Sequence, residues 1–463
     1  MNELGVLTRT FAVGRQVRMQ KSKVKLGTVV RSALLACTAL IVSSSPAMAQ
    51  AGKLDPTFGV GGIFKGNAGI LAAATAVQSD GKIVVGGQIA PEAAVVRLTA
   101  IGTLDTSFGS GGTVSISFPG DDFGGATVIG LAIQSDGKIV AGISNFQQGF
   151  GPLFILARLN VNGSLDSTFG SGGIVATQVG PSGGSFGAAA SVMALQPDGK
   201  ILLAGQNAEP TGASGAIARY DANGQLDDTF GSGGVAATSV AAPTAIALQP
   251  DGKILLAAGG SAIAFTGIAP SVGLAQVAGI ISRYNANGSL DTSFGVSGQV
   301  ASVVVAGALA VQTQGGCSSN CKILVGGTVT TSLNINNGNN VGFGLVRYNS
   351  DGSVDATFGQ GGAVATSFAP TEPNATSFAL ALQSNGDIVA AGSAASNRPF
   401  SPPAADFALA RYTSNGALDT TFGSGGEVTT GIGNSPASVF ALALQSNGRI
   451  VAVGTSIARY LAQ

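Results

Sequence analysis

A motif represented by "RYDANGQLDDTFGSGG", from Arg219 to Gly234, recurs seven times along the chain with its Arg, Gly, Leu-Asp and Phe-Gly in nearly fixed places. Val354 replaces the Leu once, and successive motif Asp residues lie 50, 61, 61, 64, 64 and 64 positions apart. Self-similarity of this kind is typical of solenoids and propellers, in which each unit buries its apolar face only against its neighbours. The sequence therefore predicts an array of seven similar units.

A second anchor, Gln-Ser/Pro-Asp/Asn-Gly, also occurs once per unit, as in "QSDGK" from Gln78, and the fifth copy is stretched into "QTQGGCSSNCK" from Gln312. Short runs of Val, Ile, Leu, Phe and Tyr flank each anchor and end at Gly, Asn or Asp, which predicts strands joined by hairpins. Both the Gln turn and the "DANG" turn place Gly fourth, as a three-residue hairpin loop with a bulge requires.

The Arg and the Asp of the motif are eight residues apart, so a three-residue loop midway between them places the two side chains opposite each other on neighbouring strands. We expect them to form structural ion pairs. The alternative, a catalytic ring, would require the pairs to converge at one point, whereas one pair per unit of a symmetric array keeps them apart. The predicted pairs are Arg97 with Asp105, Arg158 with Asp166, Arg219 with Asp227, Arg283 with Asp291, Arg347 with Asp355, Arg411 with Asp419, and Arg459 with Asp55.

The two ends of the chain supply complementary parts of one unit. The sequence ends at "IARYLAQ", where "NGxLDxxFG" should follow, and "KLDPTFGVGG", from Lys53, has no "ARY" before it. A solenoid would need polar caps at both ends, whereas complementary ends close a ring. We therefore predict an all-β fold, a seven-bladed β-propeller of four-stranded antiparallel blades over residues 50–463, closed by pairing of the N- and C-terminal segments.

Residues 1–49 are predicted to be a signal peptide. The basic "KSKVKLGTVVR" from Lys21 leads into the apolar "SALLACTALIV", and Ala47-Met48-Ala49 fits cleavage before Gln50. Met19 would begin a more typical leader, so residues 1–18 are either a misassigned extension of the start or a long n-region. Without the leader, 16 basic and 22 acidic residues remain, a net charge of −6. We expect an exported chain, periplasmic, secreted or on the cell surface, with no transmembrane segment after cleavage and no nucleic-acid partner.

The sequence contains no His, which excludes Ser-His-Asp and Cys-His catalysis and His-bound transition metals. Cys317 and Cys321, in "GGCSSNCK", are predicted to form a disulfide in an oxidising compartment. A metal site is the alternative, but two Cys alone do not complete a tetrahedral site. We therefore predict no metal site and no cofactor, with a weakly held Ca²⁺ left open.

The segments "G-x-LD-x-x-FG-x-GG" and "Q-x-DGKI-x-x-x-G" resemble the delta-60 repeat of exported bacterial proteins, and the resemblance covers essentially the whole chain after the leader. This resemblance implies a β-propeller and no defined reaction. The chain departs from the pattern at the Cys-containing insertion and at Asp387, where the other units carry Lys or Arg.

In an up-and-down blade both tight turns fall on one face, named here the tight-turn face. The other connections share the opposite face, the variable-loop face, which holds all the length variation, such as "ISNFQQGFGPLF" from Ile143 and "SAASNRPFSPPAADF" from Ser393. Loops on a rigid scaffold are the usual place for binding. The candidate binding residues on this face are Asp121, Asp122, Asn145, Phe146, Asn334, Asn336, Asn337 and Arg398.

The composition of these loops, polar and slightly acidic, suits a polysaccharide, a peptide or a protein ligand better than a phosphate. The favoured function is an exported, non-enzymatic, monomeric propeller that binds such a partner through its variable-loop face. Two alternatives stay open: a carboxylate-dependent glycosidase or lyase, for which no acidic pair is marked out, and a structural or adhesive surface module. The sequence leaves the ligand and the periplasmic or extracellular fate undetermined.

Overall fold

The structure, a computed structural model, describes residues 51–65, 69–117, 125–145, 153–179, 189–209, 212–259, 279–313, 315–332, 340–368, 375–396, 404–432 and 436–463. The predicted signal peptide lies outside this part of the chain. The described residues form seven antiparallel sheets, and in each the strands are hydrogen-bonded in chain order. The predicted seven-bladed β-propeller is confirmed.

The first strand of each blade is paired on one side only, and the seven first strands contact one another in a closed ring. Their unpaired edges therefore face the central axis. These strands are β1 (Leu71–Val77), β5 (Thr127–Ile133), β9 (Ala189–Leu195), β13 (Ala245–Leu248), β17 (Val305–Gln312), β21 (Ala375–Leu382) and β25 (Val439–Leu444).

The second and third strands form the middle of each blade. The second strands are β2 (Ile83–Ile89), β6 (Ile139–Ser144), β10 (Ile201–Glu209), β14 (Ile254–Gly259), β18 (Lys322–Ser332), β22 (Ile388–Ser396) and β26 (Ile450–Gly454). The third strands are β3 (Glu92–Leu98), β7 (Leu153–Leu159), β11 (Gly212–Tyr220), β15 (Gly279–Tyr284), β19 (Asn340–Tyr348), β23 (Ala404–Tyr412) and β27 (Ile457–Tyr460).

The fourth strand is short and is preceded by the Phe-Gly turn. In the first blade Leu104 pairs with Leu98, the chain then turns so that Gly112 N donates to Phe108 O, and β4 resumes the pairing with β3. The fourth strands are β4 (Thr113–Ile116), β8 (Ile174–Gln178), β12 (Val235–Thr238), β16 (Gln299–Ser302), β20 (Ala363–Thr366) and β24 (Glu427–Thr430).

The core of the described residues consists of seven clusters of buried apolar side chains, and each cluster joins two adjacent blades. The cluster between the seventh and first blades combines Phe58, Val451 and Ile457 with Ile83 and other side chains of the first blade. Because the second and third strands are covered on both faces, they are almost continuously apolar. Burial between blades thus closes the ring.

The N-terminal segment provides the fourth strand of the seventh blade. Leu54 pairs with Tyr460 and Ile63 pairs with Ala458, both antiparallel. The same tight turn that joins the third strand to the fourth elsewhere is rebuilt from both ends of the chain, because Gly52 N donates to Leu461 O at 2.8 Å. The turn of the seventh blade therefore has its usual shape but is made by two separate segments.

The matching bonds in the third blade show this equivalence. There Gly224 N donates to Asp221 O at 3.1 Å, and Asp221 N donates to Gln225 O at 2.8 Å. In the seventh blade the second bond is made by Leu461 N and Lys53 O at 2.9 Å. The ring is thus closed by the backbone bonds of an ordinary hairpin as well as by apolar burial.

Replacement of Gly52 by Ala is predicted to weaken this closure. Gly52 has φ +83°, and a Cβ there would lie 2.6 Å from Gly423 N, whereas Gly61 has φ +62° and open space around it. G61A should cost about 1–2 kcal/mol for the left-handed backbone alone, and G52A should cost roughly 1–3 kcal/mol more through overpacking. Urea unfolding of the chain from residue 50 measures both. Equal stability of the two variants would contradict the proposed closure.

Candidate functional site

The repeated Arg and Asp side chains form an ion pair in every blade. Each Arg Nε lies 2.7–2.9 Å from the Oδ2 atom of its Asp. The second carboxylate oxygen accepts bonds from the backbone and hydroxyl of the Ser or Thr two residues later, as Thr168 shows with Asp166. Both carboxylate oxygens are therefore held by hydrogen bonds within the blade.

Each of these Arg side chains also reaches the next blade. Arg158 Nη1 donates to Ala222 O at 2.5 Å, inside the tight turn of the third blade, and its guanidinium lies 4.7 Å from the ring centroid of Phe169. The same ring lies against Gly224 of that next turn. Arg459 makes the equivalent bond to Ala100 O and so links the seventh blade to the first. We call this set of contacts, made by the motif Arg with the Asp and Phe of its own blade and with a turn carbonyl of the next blade, the joint. It is repeated around the ring.

The joints lower the pKa of their carboxyl groups. Burial by itself would raise the pKa of Asp105, but hydrogen bonds from Ser107 and Lys82 and the charge of Arg97 outweigh it and lower this pKa to about 2. The pKa of Asp355 is lowered to about 2 for the same reasons. The pKa is also lowered at Asp55, Asp166, Asp227, Asp291 and Asp419.

The sixth blade lacks one part of its joint. In the third blade Lys200 Nζ lies 2.9 Å from Asp227 Oδ2, and five other blades have an equivalent Lys or Arg contact. In the sixth blade Asp387 takes this place and is bonded to Asn385. The side chain of Asp419 is accordingly more exposed, at 16% against 1–10% in the other joints.

Cys317 and Cys321 form a disulfide, with sulfur atoms 2.01 Å apart. The bond closes the extra residues of the fifth blade's first tight turn, on the tight-turn face. The prediction that all length variation lies on the variable-loop face is therefore wrong for this blade. Lys322, directly after it, still reaches Asp355 Oδ2 at 3.1 Å. The disulfide thus confines the insertion to a small loop, and the joint below it is kept.

Most candidate binding residues predicted from the loops fall outside the described residues: Asp121, Asp122, Phe146, Asn334, Asn336, Asn337 and Arg398. Asn145 is described. It follows β6 on the variable-loop face, is half-buried, and its Oδ1 atom is buried without a hydrogen-bond partner. Among the described residues no group of three His, Cys, Asp or Glu could hold a metal ion, and no helix is long and apolar enough to cross a membrane.

A ring of seven residues lies at the end of the axis nearer the variable-loop face. Each is five positions before the Gln of the first tight turn, and in six blades the strand pairing skips this residue as a β-bulge. Bulges redirect side chains and often lie near functional sites. We call these residues the mouth ring: Ala73, Ile129, Ser191, Thr244, Gly307, Phe378 and Phe440.

Mouth-ring side chains cross to the first strand of the next blade. Ser191 Oγ donates to Pro243 O and Thr244 Oγ1 donates to Ala306 O, both at 2.6 Å. These carbonyls belong to the unpaired edges that face the axis. The hydroxyl groups therefore satisfy backbone acceptors on the wall of the channel.

An aromatic pair distinguishes one side of the mouth ring. The rings of Phe378 and Phe440 have centroids 5.7 Å apart and an interplanar angle of 58°. Phe440 is 43% exposed, and Leu71 of the adjoining first blade is 64% exposed. Exposed aromatic and aliphatic groups on a rigid frame are typical of binding sites. The sequence signal was available, since both Phe replace small or aliphatic residues at one position of the repeat, but only the strand pairing shows that this position is a bulge.

Adding the missing lysine contact to the joint of the sixth blade should stabilise the protein. D387K would place an ammonium group beside Asp419, as Lys200 lies beside Asp227, and should raise the free energy of unfolding by about 0.5–1 kcal/mol because the pair is partly exposed. K200D should lower it by a similar or larger amount. Chemical denaturation compares the two. A D387K protein no more stable than the parent would contradict this account of the joint.

The joints should make the protein sensitive to acid. The folded-state pKa of each motif Asp lies below its unfolded value of about 3.9, so the stabilisation is complete above that value and is lost as the pH falls towards 2. The free energy of unfolding should therefore decrease steadily below about pH 4. The D355N protein should show a slope smaller by about one proton over that range. An unchanged slope in D355N would count against the ion-pair assignment.

Six segments of the chain match the family model described as "Domain of unknown function (DUF5122) beta-propeller": residues 78–108, 134–169, 196–230, 272–294, 322–358 and 383–422. Each segment ends at the motif Phe of one of the first six blades. The seventh unit is divided between the two ends of the chain. A search of curated protein sequences finds no match.

A comparison with solved structures finds matches of low identity. A streptogramin B lyase structure is 11% identical, with 87% of this chain and 97% of that chain covered and a TM-score of 0.45. The extracellular domain of the putative one component system BT4673 from B. thetaiotaomicron is 13% identical, with 87% and 39% covered and a TM-score of 0.43. Drosophila Plexin A in complex with Semaphorin 1b is 10% identical, with 89% and 88% covered and a TM-score of 0.44.

At identities this low and TM-scores below 0.5, these proteins do not indicate the ligand of this chain. The family match rests on the repeated motif itself and extends through six blades. The chain is therefore similar, in one segment of each of its first six blades, to a family of β-propeller repeats of undefined function, DUF5122.

Proposed function

We propose that this chain is an exported, non-enzymatic β-propeller that binds a glycan, peptide or protein partner through its variable-loop face, with the mouth ring at the centre of the site. The observation that carries the proposal is the aromatic pair in which Phe440 is 43% exposed and Phe378 is half-buried. Apolar side chains that could be buried remain in solvent at one place on the axis, and covering them would supply binding energy.

The motif residues stabilise the scaffold and the variable positions remain available for recognition, which supports a binding role. The motif Arg and Asp are occupied in the joints between blades, where each carboxylate is held by an Arg and by a neighbouring Ser or Thr. A general acid or base must exchange its proton with a substrate. Groups fixed in this way serve the scaffold and leave recognition to the variable positions.

Three features support export. A basic and then apolar N-terminal stretch precedes a small-residue cleavage motif at Ala47 to Ala49. The disulfide between Cys317 and Cys321 suits an oxidising compartment. The resemblance to the delta-60 repeat of exported bacterial proteins agrees with both.

The test begins with screening the chain from residue 50 against a glycan array and a displayed peptide library. Any ligand found should lose at least tenfold in affinity, measured by calorimetry, with the F378A/F440A protein, because the exposed ring surface is removed. The matched control is I101A, which removes an aliphatic group that is 59% exposed on the tight-turn face. Failure to find a ligand, or equal losses in both variants, would refute the proposal.

A further inference from the structure

The mouth ring carries no charge, and neither do the residues two positions before it in each blade: Leu71, Thr127, Ala189, Ala242, Val305, Thr376 and Ser438. A charged ligand group held at this level of the axis would lose hydration without gaining an ionic partner from these fourteen positions, which is costly. The chemistry of the ring therefore selects a neutral ligand.

The aromatic pair favours a ligand with polarised C–H groups. The rings of Phe378 and Phe440 are tilted by 58° and so do not form the parallel slot that would enclose a planar aromatic group. The face of an aromatic ring is electron-rich and attracts C–H groups made positive by neighbouring oxygens. The axial C–H face of a pyranose ring has this character, and it would cover Phe440, the more exposed of the two.

A backbone carbonyl that receives no hydroxyl group from the mouth ring lies beside the aromatic pair. In the third and fourth blades the hydroxyl groups of Ser191 and Thr244 donate to the facing carbonyls of the next blade. In the fifth blade this position is Gly307, and a Cβ built there would lie 2.9 Å from the facing carbonyl, Ser377 O. Gly307 has no hydroxyl group to donate to that carbonyl. Ser377 directly precedes Phe378 in the chain. A ligand hydroxyl could donate to it as Ser and Thr do elsewhere in the ring.

We infer that the mouth ring binds a neutral carbohydrate, with a pyranose face on Phe378 and Phe440 and a sugar hydroxyl donating to Ser377 O. This inference rests on the proposed function and narrows its ligand to one class. An uncharged ring, a partly exposed aromatic surface and a neighbouring carbonyl without a mouth-ring hydroxyl together match a group that is apolar on one face and rich in hydroxyl donors at its edge.

Calorimetry and saturation-transfer NMR on the chain from residue 50 test the inference with four neutral hexasaccharides: cellohexaose, laminarihexaose, mannohexaose and xylohexaose. Hexagalacturonate is the charged counterpart. At least one neutral hexasaccharide should bind and should receive saturation at its ring C–H protons, and hexagalacturonate should bind at least tenfold more weakly. Failure of all four neutral sugars to bind, or tighter binding of hexagalacturonate, would overturn the inference.

Two variants locate the site. F378A/F440A should weaken the bound sugar at least tenfold. G307S should weaken it about 3- to 10-fold, as expected for loss of one hydrogen bond, because its hydroxyl would occupy Ser377 O. The Cβ of G307S would lie 2.9 Å from Ser377 O, so this carbonyl must shift slightly. Ser191 and Thr244 are accommodated at the same position in other blades, and the thermal midpoint of G307S checks that it folds. I101A is the control, and sugar binding that survives both mouth-ring variants would place the ligand elsewhere.

The outcomes separate this inference from the broader proposal. If a displayed peptide binds, F378A/F440A abolishes that binding, and the neutral sugars do not bind, the variable-loop face is a binding site but the carbohydrate assignment is wrong. If neither peptide nor sugar depends on the mouth-ring Phe residues, the proposed function fails as well.

Discussion

The interaction on which the structure depends is the bridge that each motif Arg makes between two blades. One guanidinium pairs with the Asp of its own blade, lies over the Phe of its own blade and donates to a turn carbonyl of the next, as Arg158 does with Asp166, Phe169 and Ala222. Removing one partner would leave a buried charge uncompensated, which costs about 3–5 kcal/mol. The joint therefore fixes the angle between blades as well as their contact.

The ring closes because this joint does not require a continuous chain. Arg411 donates to Ala462 O, and Gly423 N donates to Ala51 O, so the sixth blade holds both halves of the divided turn in the seventh. Arg459 then pairs with Asp55, which lies 404 positions away in the sequence. In the other blades the Arg and Asp of the joint are eight residues apart in the sequence. In the seventh blade they come from opposite ends of the chain, and the geometry of the pair is the same.

A frame of identical joints allows the remaining positions to vary. The tight-turn face is occupied by turns that serve the joints, whereas the mouth ring makes no joint and differs from blade to blade: Ala73, Ile129, Ser191, Thr244, Gly307, Phe378 and Phe440. Where the residue is Ser or Thr, it caps a neighbouring carbonyl, and where it is Phe, it exposes an aromatic surface. The asymmetry that recognition needs is thus added to a symmetric frame at one repeated position.

The sequence by itself determined the number of blades, their closure and the tight turns, because these depend on spacings and on residue types such as Gly that recur seven times. The eight-residue spacing between the motif Arg and Asp likewise predicted that the two side chains lie opposite one another. Only the tertiary structure decided what lies on the axis. The bulges at Phe378 and Phe440 are residues skipped in the strand pairing, and an alternating pattern of side chains does not reveal which residue is skipped. The bond from each Arg to the next blade likewise depends on how the blades are rotated against each other, a consequence of packing rather than of any local spacing.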